Sequence, residues 1–370
     1  MAKWQKNLAI FAAGCLLAGG VTIGVGALTG GVQDVKDIYI APAPPPKEFK
    51  TEYDKISGLD VDFTSSNVLV EVADVDQITV IQTVDDRQLF DLTGKLVTTV
   101  ENGILKMKNE PVRPKENEPD IDTDILGVFT YFRKDRYEWT VPVVIQIPKE
   151  VVLEQVNAKL SAGTWLSLND AEIKNVNVQA EPQTVVTLNN VIAHQINGEG
   201  KGQFNIFESY VKSGKISAKD FLNISASKLQ NVSLSILSTS SIDFTESILK
   251  DSQVHAEVGY LYLSGMTYLG KVDVENKNGI IRLIQLSNMD LLNLNLTAEP
   301  GNITVDLNDL PYTEIMDEKK STYQHKGSQV RSDVTIKVQK GDIELIDWAE
   351  DDPHRPKWMK DEAPDFKRFE

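Results

Sequence analysis

The stretch 153–309 repeats a short pattern at intervals of 18 to 22 residues, and this repeat constrains the fold more than any other feature of the chain. Each repeat holds two segments in which apolar and polar residues alternate, as in 156–160 and 164–170. Alternation with period two predicts strands with one buried face. One such unit cannot bury its apolar face alone, whereas stacked units cover one another. The repeat therefore predicts an all-β chain whose middle forms a parallel β-helix or β-solenoid.

A β-sandwich is the alternative, because its short strands also recur at a regular spacing of about 8–12 residues. The solenoid is favoured by small polar residues that recur once per repeat and indicate a repeated turn. These residues are Asp170, Asn190, Ser209, Ser227, Ser247 and Gly265. They could also form an exposed polar binding stripe, although such side chains commonly bond their own backbone in turns. If the units stack, Leu168, Leu188 and Phe207 should align along a shared axis.

The N-terminus carries the features of a membrane anchor. Residues 1–7 contain two lysines and are predicted to be cytoplasmic. The uncharged segment 8–30 is predicted to be a transmembrane signal-anchor, because it is long enough to cross a bilayer as a helix. Lysines before this segment favour a single-pass orientation with the N-terminus inside and the rest extracytoplasmic. Cleavage near Ala27 and lipidation of Cys15 are the alternatives. The proline-rich linker 31–52 would hold the folded part away from the membrane.

The β-solenoid domain is predicted to cover 53–347, and strands before the repeat would form its N-terminal β cap or first coils. Five alternating or β-branched segments indicate these strands. They are 59–63, 68–72, 78–81, 96–100 and 104–107. Asn102-Gly103 is a strong signal for a two-residue hairpin turn. An acidic, proline-rich insert interrupts the domain at 109–124.

A second hairpin is predicted from 125–132 and 137–147. It mixes aromatic residues such as Phe132 and Trp139 with basic ones, so it could contact lipid headgroups, unless its rings pack inward. The region after the repeat is predicted to hold a loop, a last pair of strands and an acidic flexible tail. These parts are 310–329, then 332–338 with 341–346, and 348–370.

The amino-acid composition limits the ligands and cofactors that the protein could bind. A net charge of −16 argues against nucleic acid as a partner, and a single cysteine excludes an intrachain disulfide. The four histidines have no spacing that indicates zinc. Asp120, Asp122 and Asp124 resemble the start of a calcium loop, but Ile125 and Tyr131 stand where an EF-hand needs Gly and Glu. No catalytic, cofactor-binding or metal-binding residue is therefore predicted, and no cofactor.

Three stretches together resemble a known bacterial family. They are 58–82 (GLDVDFTSSNVLVEVADVDQITVIQ), 141–151 (VPVVIQIPKEV) and 340–347 (KGDIELID). With the predicted anchor, they resemble the "putative adhesin" β-strand-repeat family of unknown function, which includes LiaG-type cell-envelope proteins. That family often shows Gly-Asp-Ile at successive coils, which is kept here at Gly341 and varied at Gly279 and Gly301. The resemblance implies an extracytoplasmic β-solenoid, a link to envelope stress, and no established catalytic residues.

Three functions follow as hypotheses. The first is a non-catalytic, membrane-anchored envelope protein whose solenoid binds another envelope protein, a wall polymer or a cationic peptide, in adhesion or envelope-stress response. The second is a carbohydrate-active enzyme, which needs a compact carboxylate cluster in a groove. Asp170, Asp243, Glu246 and Asp273 are its candidate carboxylates, on separate coils. The third is a regulator that senses membrane damage through the 129–139 hairpin.

Overall fold

The computed structural model describes residues 47–64, 66–84, 95–110, 142–237, 242–286, 289–307 and 310–347. Within these ranges the chain consists of β-strands and one short 3-10 helix at Met289–Leu291. Most strands belong to two long, largely parallel sheets, which we name sheet A and sheet B. Their inward side chains form one continuous apolar core. The predicted all-β solenoid is confirmed.

The strands fall into three groups along the chain. The N-terminal strands are β1 (Lys47–Tyr53), β2 (Gly58–Phe63), β3 (Val68–Ala73), β4 (Ile78–Val84), β5 (Lys95–Glu101), β6 (Ile104–Glu110) and β7 (Val143–Pro148). Those of the repeat are β8 (Leu153–Leu160), β9 (Trp165–Asn169), β10 (Glu172–Ala180), β11 (Val185–Asn189), β12 (Ile192–Gly200), β13 (Gln203–Phe207), β14 (Tyr210–Val211), β15 (Gly214–Ala218), β16 (Phe221–Ser225), β17 (Lys228–Gln230), β18 (Val232–Ile236), β19 (Ile242–Thr245), β20 (Ile248–Lys250), β21 (Gln253–Ala256), β22 (Gly259–Ser264), β23 (Thr267–Asn276) and β24 (Gly279–Ile284). The C-terminal strands are β25 (Leu292–Ala298), β26 (Gly301–Asp306), β27 (Thr313–Asp317), β28 (Ser321–Lys326), β29 (Ser332–Val338) and β30 (Ile343–Ile346).

Each early coil of the repeat gives one long strand to sheet B and one short strand to sheet A. In the middle coils the sheet B strand is broken into two, as in β17 with β18 and β20 with β21. Asn231 and Asp251 adopt positive φ angles of 52° and 48° at these breaks, and Gly270, at the equivalent position inside the continuous strand β23, has one of 67°. The prediction of two strands per repeat therefore holds for the early coils, while the middle coils have three.

The inward side chains stack from coil to coil. Leu168 is level with Leu188, and Leu188 is level with Ile206, and all three are fully buried. The predicted alignment of Leu168 with Leu188 is confirmed, but Phe207 does not continue it. Phe207 pairs with Asn189 instead, because Phe204 and Ile206 already occupy the inward positions of β13.

A tight turn follows each sheet A strand of the repeat, and one residue there has a positive φ between 46° and 62°. These residues are Asp170, Asn190, Glu208, Ala226, Glu246, Gly265 and Gln285. The predicted alignment was wrong at Ser209, Ser227 and Ser247, which come one residue later and are buried. Ser227 Oγ donates to the carbonyl of Ser225 at 2.7 Å and accepts the N–H of Ser209 at 3.1 Å. These buried serines bond the backbone and do not form an exposed stripe.

Glycines begin successive sheet A strands near the C-terminal end. A Cβ on Gly279 would lie 1.9 Å from the carbonyl oxygen of Gly259, and one on Gly341 would lie 1.9 Å from that of Gly279. Only glycine allows the coils to approach this closely. Ile281 and Ile343 follow two residues later and point inward, level with each other. The Gly-x-Ile pattern is therefore explained by the stacking of coils.

Both ends of the solenoid are interleaved. The coil of β2 and β3 lies between the coil of β6 and β7 and that of β8 and β9. At the other end, the coil of β29 and β30 lies between the coil of β23 and β24 and that of β25 and β26. The predicted last strand pair, 332–338 and 341–346, is therefore wrong as a pair, since β29 is in sheet B and β30 in sheet A.

Antiparallel strands complete the ends. The predicted hairpin at Asn102-Gly103 is confirmed, since β5 and β6 pair across it and both turn residues have positive φ. The loop predicted at 310–329 is wrong, because β27 pairs with β26 and β28 with β25. Of β28 only Ser321 is buried, so an outer strand like this gives little alternating signal. Strand β7 lies between β3 and β4, and the other half of the predicted second hairpin, 125–132, lies outside the described residues.

Several predicted segments lie outside the described residues. These are the cytoplasmic N-terminus and signal-anchor, most of the linker and of the 109–124 insert, the 129–139 aromatic hairpin and the 348–370 tail. Strand β1 begins at Lys47, within the range assigned to the linker. Among the described residues, no helix has the length and apolar character needed to cross a bilayer.

Candidate functional site

Outward side chains of β8, β10 and β12 form a square array on sheet B, which we name the amide grid. Its nine positions are Gln155, Asn157, Lys159, Asn175, Asn177, Gln179, Gln195, Asn197 and Glu199. The strand register makes three rows, because Asn175 is level with Gln155 and Gln195, Asn177 with Asn157 and Asn197, and Gln179 with Lys159 and Glu199. Neighbouring strands lie about 4.7–4.9 Å apart. Seven of the nine side chains are neutral amides.

The alternation of the sequence places these amides outside. Val156, Val176 and Ile196 are level with one another, fully buried, and stand between the first and second rows of the grid. Successive side chains of a strand point to opposite faces, so a slip of one residue would bury the amides and expose the core. The 20-residue interval between Asn157, Asn177 and Asn197 preserves this register in all three coils.

The central row is a ladder of hydrogen-bonded amides. Asn177 Nδ2 donates to Asn157 Oδ1 at 2.9 Å, and Asn197 Nδ2 donates to Asn177 Oδ1 at 3.0 Å. An amide has two N–H donors and an oxygen with two lone pairs, so this ladder uses one of each at Asn177. Within the described part of the chain, Gln155 and Gln179 make no side-chain hydrogen bond. The grid therefore holds unused neutral donors and acceptors on its exposed face.

The grid borders two adjoining shallow depressions, with volumes of about 670 and 730 Å³. The first extends over five neighbouring strands, from β2 through β8, β10 and β12 to β15. Its charged side chains are Asp60, Lys159, Glu199 and Lys215, two positive and two negative. In a chain with a net charge of −16, this balance sets the depression apart.

The two carboxylates of the first depression lie far apart. Asp60 on β2 and Glu199 on β12 are the two carboxylates of the first depression, and three strand spacings separate their strands. That separation is roughly 14 Å. The carboxylate pairs of glycosidases lie roughly 5–9.5 Å apart. Asp60 and Glu199 therefore do not form a hydrolytic pair, whereas the amides between them can hold a polar ligand.

The four carboxylates considered for an enzyme are not brought into one groove. Asp243 lies on the outer face of sheet A, whereas Asp273 lies on sheet B beside Lys271, at 3.6 Å. Asp170 and Glu246 occupy equivalent turns on different coils. Partial burial raises the pKa of both Asp243 and Glu246 above the usual value of each carboxyl. These four residues do not supply the cluster that the enzyme hypothesis requires.

The histidines lie apart from one another. His194 Nε2 is 2.8 Å from Glu172 Oε1, and His325 Nε2 is 3.2 Å from the carbonyl oxygen of Met289. His255 lies between Glu257 and Glu275, at 3.2 Å from each. Among the described residues, no three His, Cys, Asp or Glu side chains form a group that could hold a metal ion. His354 and the calcium-like 120–124 segment lie outside the described residues.

Sequence reasoning did not identify the amide grid. Its signal is present in the three segments 155–159, 175–179 and 195–199, which read QVNAK, NVNVQ and QINGE. Each has an amide residue at its first and third positions and a buried residue at the second. The grid could have been predicted from neutral amides that recur at the solvent-facing positions. The recurrence of polar residues in general does not distinguish it.

The sequence profile of the family described as Toastrack DUF4097 matches residues 56–346. This chain therefore belongs to the Toastrack DUF4097 family. The match extends through both interleaved ends of the Toastrack domain, and the resemblance to an adhesin-like repeat family drawn from the sequence is confirmed. No relative matches among the curated proteins.

The solved structures similar to this Toastrack chain include the following three. A "putative lipid binding protein" from Parabacteroides distasonis is 12% identical, with 81% of this chain and 96% of that chain covered and a TM-score of 0.38. A "putative adhesin" from Bacteroides fragilis is 10% identical, with 82% and 99% covered and a TM-score of 0.33. A "putative cell adhesion protein" from Clostridium sporogenes is 10% identical, with 82% and 100% covered and a TM-score of 0.21.

Proposed function

We propose that this Toastrack protein is a non-catalytic binding protein of the bacterial cell envelope, whose amide grid holds a neutral wall polymer. The signal-anchor 8–30 would fix it in the cell membrane, and the linker 31–52 would carry the solenoid outside. Adhesion and envelope-stress response, the roles that the resemblance implies, both need a surface that retains another molecule. The observation that carries the proposal is the exposed amide array with unused donors and acceptors.

The charge of the site favours a neutral ligand over a cationic peptide. A net charge of −16 attracts cations at long range, but the first depression carries two positive and two negative side chains. Neutral amides bond hydroxyl and amide groups without requiring a counter-charge. The depression also extends over five strands, so an extended chain would contact more of it than a compact ligand.

Sedimentation with purified, protein-free cell walls tests this proposal. The triple variant Asn157→Thr, Asn177→Thr, Asn197→Thr removes the central row and keeps residues that suit a strand. We expect it to lose wall binding by about tenfold or more, because several ligand hydrogen bonds are removed together. Thermal unfolding of the variant should stay close to that of the wild type.

The matched control is Gln253→Thr with Asn295→Thr. The chain of strand registers places both residues on the same row of sheet B as Asn177, in coils outside the amide grid. The control should bind walls like the wild type. Wall binding that is equal in the triple variant, the control and the wild type would contradict the proposed function of the grid.

A further inference from the structure

We propose that the polymer is a β-1,4-linked glycan that lies across the strands, along the stacking direction of the coils, with one sugar over each coil. This inference rests on the proposed function of the amide grid and specifies its ligand. Two features of the grid carry it: the interval between its strands, and the presence of amides on both sides of the central ladder.

The distance between neighbouring strands determines which ligand repeat length can match the amides. Asn157, Asn177 and Asn197 are level with one another, so the ladder presents equivalent amides every 4.7–4.9 Å or so. A β-1,4-linked glycan is extended and nearly straight, and it advances by close to this interval with each sugar. An extended peptide advances by about 3.3 Å per residue, so three residues span about two coils and it does not place one residue over each coil. An α-1,4-linked glycan curves and would not follow the straight row of amides.

The width of the grid suits the alternating orientation of the sugars. Consecutive sugars of a β-1,4-linked chain are turned over, so their substituents point to opposite sides in turn. The outer rows lie two residues along the strand from the ladder, at roughly 7 Å. Gln155 and Gln195 stand on one side and Gln179 on the other, all with flexible amides. Amides of the grid would therefore face hydroxyl or acetamido groups on both edges of the glycan.

The extent of the depression limits the length of the ligand. Asp60 precedes the ladder on β2 and Lys215 follows it on β15, so the first depression spans five strands. With one sugar per strand, a pentasaccharide would fill it. Affinity should then rise with chain length up to about five sugars and change little beyond that.

Calorimetric titration of the full-length protein with defined oligosaccharides tests the inference. Cellopentaose and chitopentaose are β-1,4-linked and differ in their acetamido groups, whereas maltopentaose is α-1,4-linked. We expect at least one β-1,4-linked pentasaccharide to bind about tenfold or more tightly than maltopentaose and than its own disaccharide. Asn157→Thr, Asn177→Thr, Asn197→Thr should remove this preference, and Gln253→Thr with Asn295→Thr should keep it.

The outcomes separate this inference from the proposed function. If maltopentaose binds as tightly as the β-1,4-linked pentasaccharides, the proposed alignment of sugars with coils is wrong. It is also wrong if the triple variant still binds a β-1,4-linked pentasaccharide as tightly as the wild type does. If walls bind through the grid but no β-1,4 oligosaccharide does, the inference fails and the proposed function stands. If neither walls nor oligosaccharides depend on the grid, both fail. An extended glycine- and serine-rich peptide that binds through the grid as tightly as the glycans would also overturn the inference.

Discussion

Sheet B has two different outer surfaces on one continuous set of strands. At the nine grid positions of β8, β10 and β12, seven outward side chains are neutral amides. At and just beyond the C-terminal ends of β21, β23 and β29, the side chains form a network that we name the charged lattice. Its residues are His255, Glu257, Glu275, Lys277 and Gln339. Its members pair with each other, for example Lys277 with Glu257 at 2.6 Å and Gln339 with Glu275 at 2.6 Å. The same sheet thus accommodates either chemistry on its outer face.

The buried face of sheet B is apolar both under the amide grid and near the charged lattice. Val176 and Val178 under the amide grid and Val272 and Val274 near the charged lattice are all buried. Burial of such side chains contributes the main stabilisation of each coil, and exposed ion pairs contribute little. The fold therefore does not require amides on the outer face of β8, β10 and β12. This difference between the two regions is consistent with the proposed binding role of the grid.

The largest predicted effect tests whether the two interiors are equivalent. Val178→Asp and Val274→Asp each place an unpaired charge in the core and should each lower the free energy of unfolding by about 3–5 kcal/mol. The outward changes Asn177→Asp and Asp273→Asn should each cost less than about 1 kcal/mol. Chemical unfolding followed by circular dichroism measures all four. A Val274→Asp variant as stable as the wild type would show that the coils near the lattice are not packed like the others.

Much of this interior could be predicted from the sequence. Alternation and a near-constant interval favour stacked strands, because stacking buries Leu168, Leu188 and their equivalents together. The order of the outermost coils could not be predicted. Ile343 fits the inward position of any sheet A strand, so nothing in its segment shows that β30 lies between β24 and β26. Strand β27 has no fully buried residue, and its sequence therefore resembles a loop.

The polar positions were harder to assign than the apolar ones. Ser227 and Asn190 are both small and polar, yet Ser227 is buried against the backbone. Asn190 instead occupies the turn position, which in the coil of Ser227 is taken by Ala226. The turn position and the buried serine position are one residue apart, and repeats differ in length by one or two residues. The alternation of apolar and polar residues does not show which of the two positions a given polar residue occupies. The amides of the grid were visible as outward residues, but a solvated face and a binding face have the same periodicity. The strand register was needed to show that Asn157, Asn177 and Asn197 form one row.

A second prediction converts the amide grid into a surface like the charged lattice. Asn157→Glu with Asn177→Lys replaces the amide ladder by an exposed cross-strand ion pair. The free energy of unfolding should change by less than about 1 kcal/mol, while wall binding falls by about tenfold or more. Sedimentation with cell walls and chemical unfolding measure the two effects.

The control for this conversion is Asn293→Lys. Asn293 Nδ2 already contacts Asp333 Oδ1 at 2.7 Å, so the lysine would form an ion pair far along the same sheet. Wall binding should not change in this variant. Unchanged wall binding in the Asn157→Glu, Asn177→Lys variant would mean that the amide chemistry of the central row is not what the polymer contacts.

A third prediction concerns salt. Because the first depression carries two positive and two negative side chains, binding of a neutral polymer should change by less than about twofold between roughly 0.05 and 0.5 M salt. A cationic peptide attracted by the net charge of −16 would instead lose affinity steeply over this range. Wall sedimentation at several salt concentrations measures the effect. A strong loss of wall binding in salt would favour the charge-driven ligand over the neutral one.

The smallest predicted effect is an acid sensitivity confined to the charged lattice. The hydrogen bond from Lys277, followed by that from His255, holds the pKa of the Glu257 carboxyl below its usual value of 4.5. A lowered pKa means that the stabilisation from this carboxylate is complete above pH 4.5 and is lost as the pH falls through the lowered value. Backbone hydrogen exchange in β21 and β23, corrected for its intrinsic pH dependence, should therefore rise by about twofold between neutral pH and about pH 3.

The variant Glu257→Gln separates this effect from a general response to acid. It cannot lose a charge on acidification, so its β21 and β23 should show a smaller increase in exchange than those of the wild type. Exchange in β10, whose central positions are neutral amides, should respond to acid equally in both proteins. If Glu257→Gln leaves the acid response of β21 unchanged, the pairing of Lys277 and His255 with Glu257 does not stabilise those coils. The two surfaces of sheet B would then differ in what they can bind, but not in how they respond to pH.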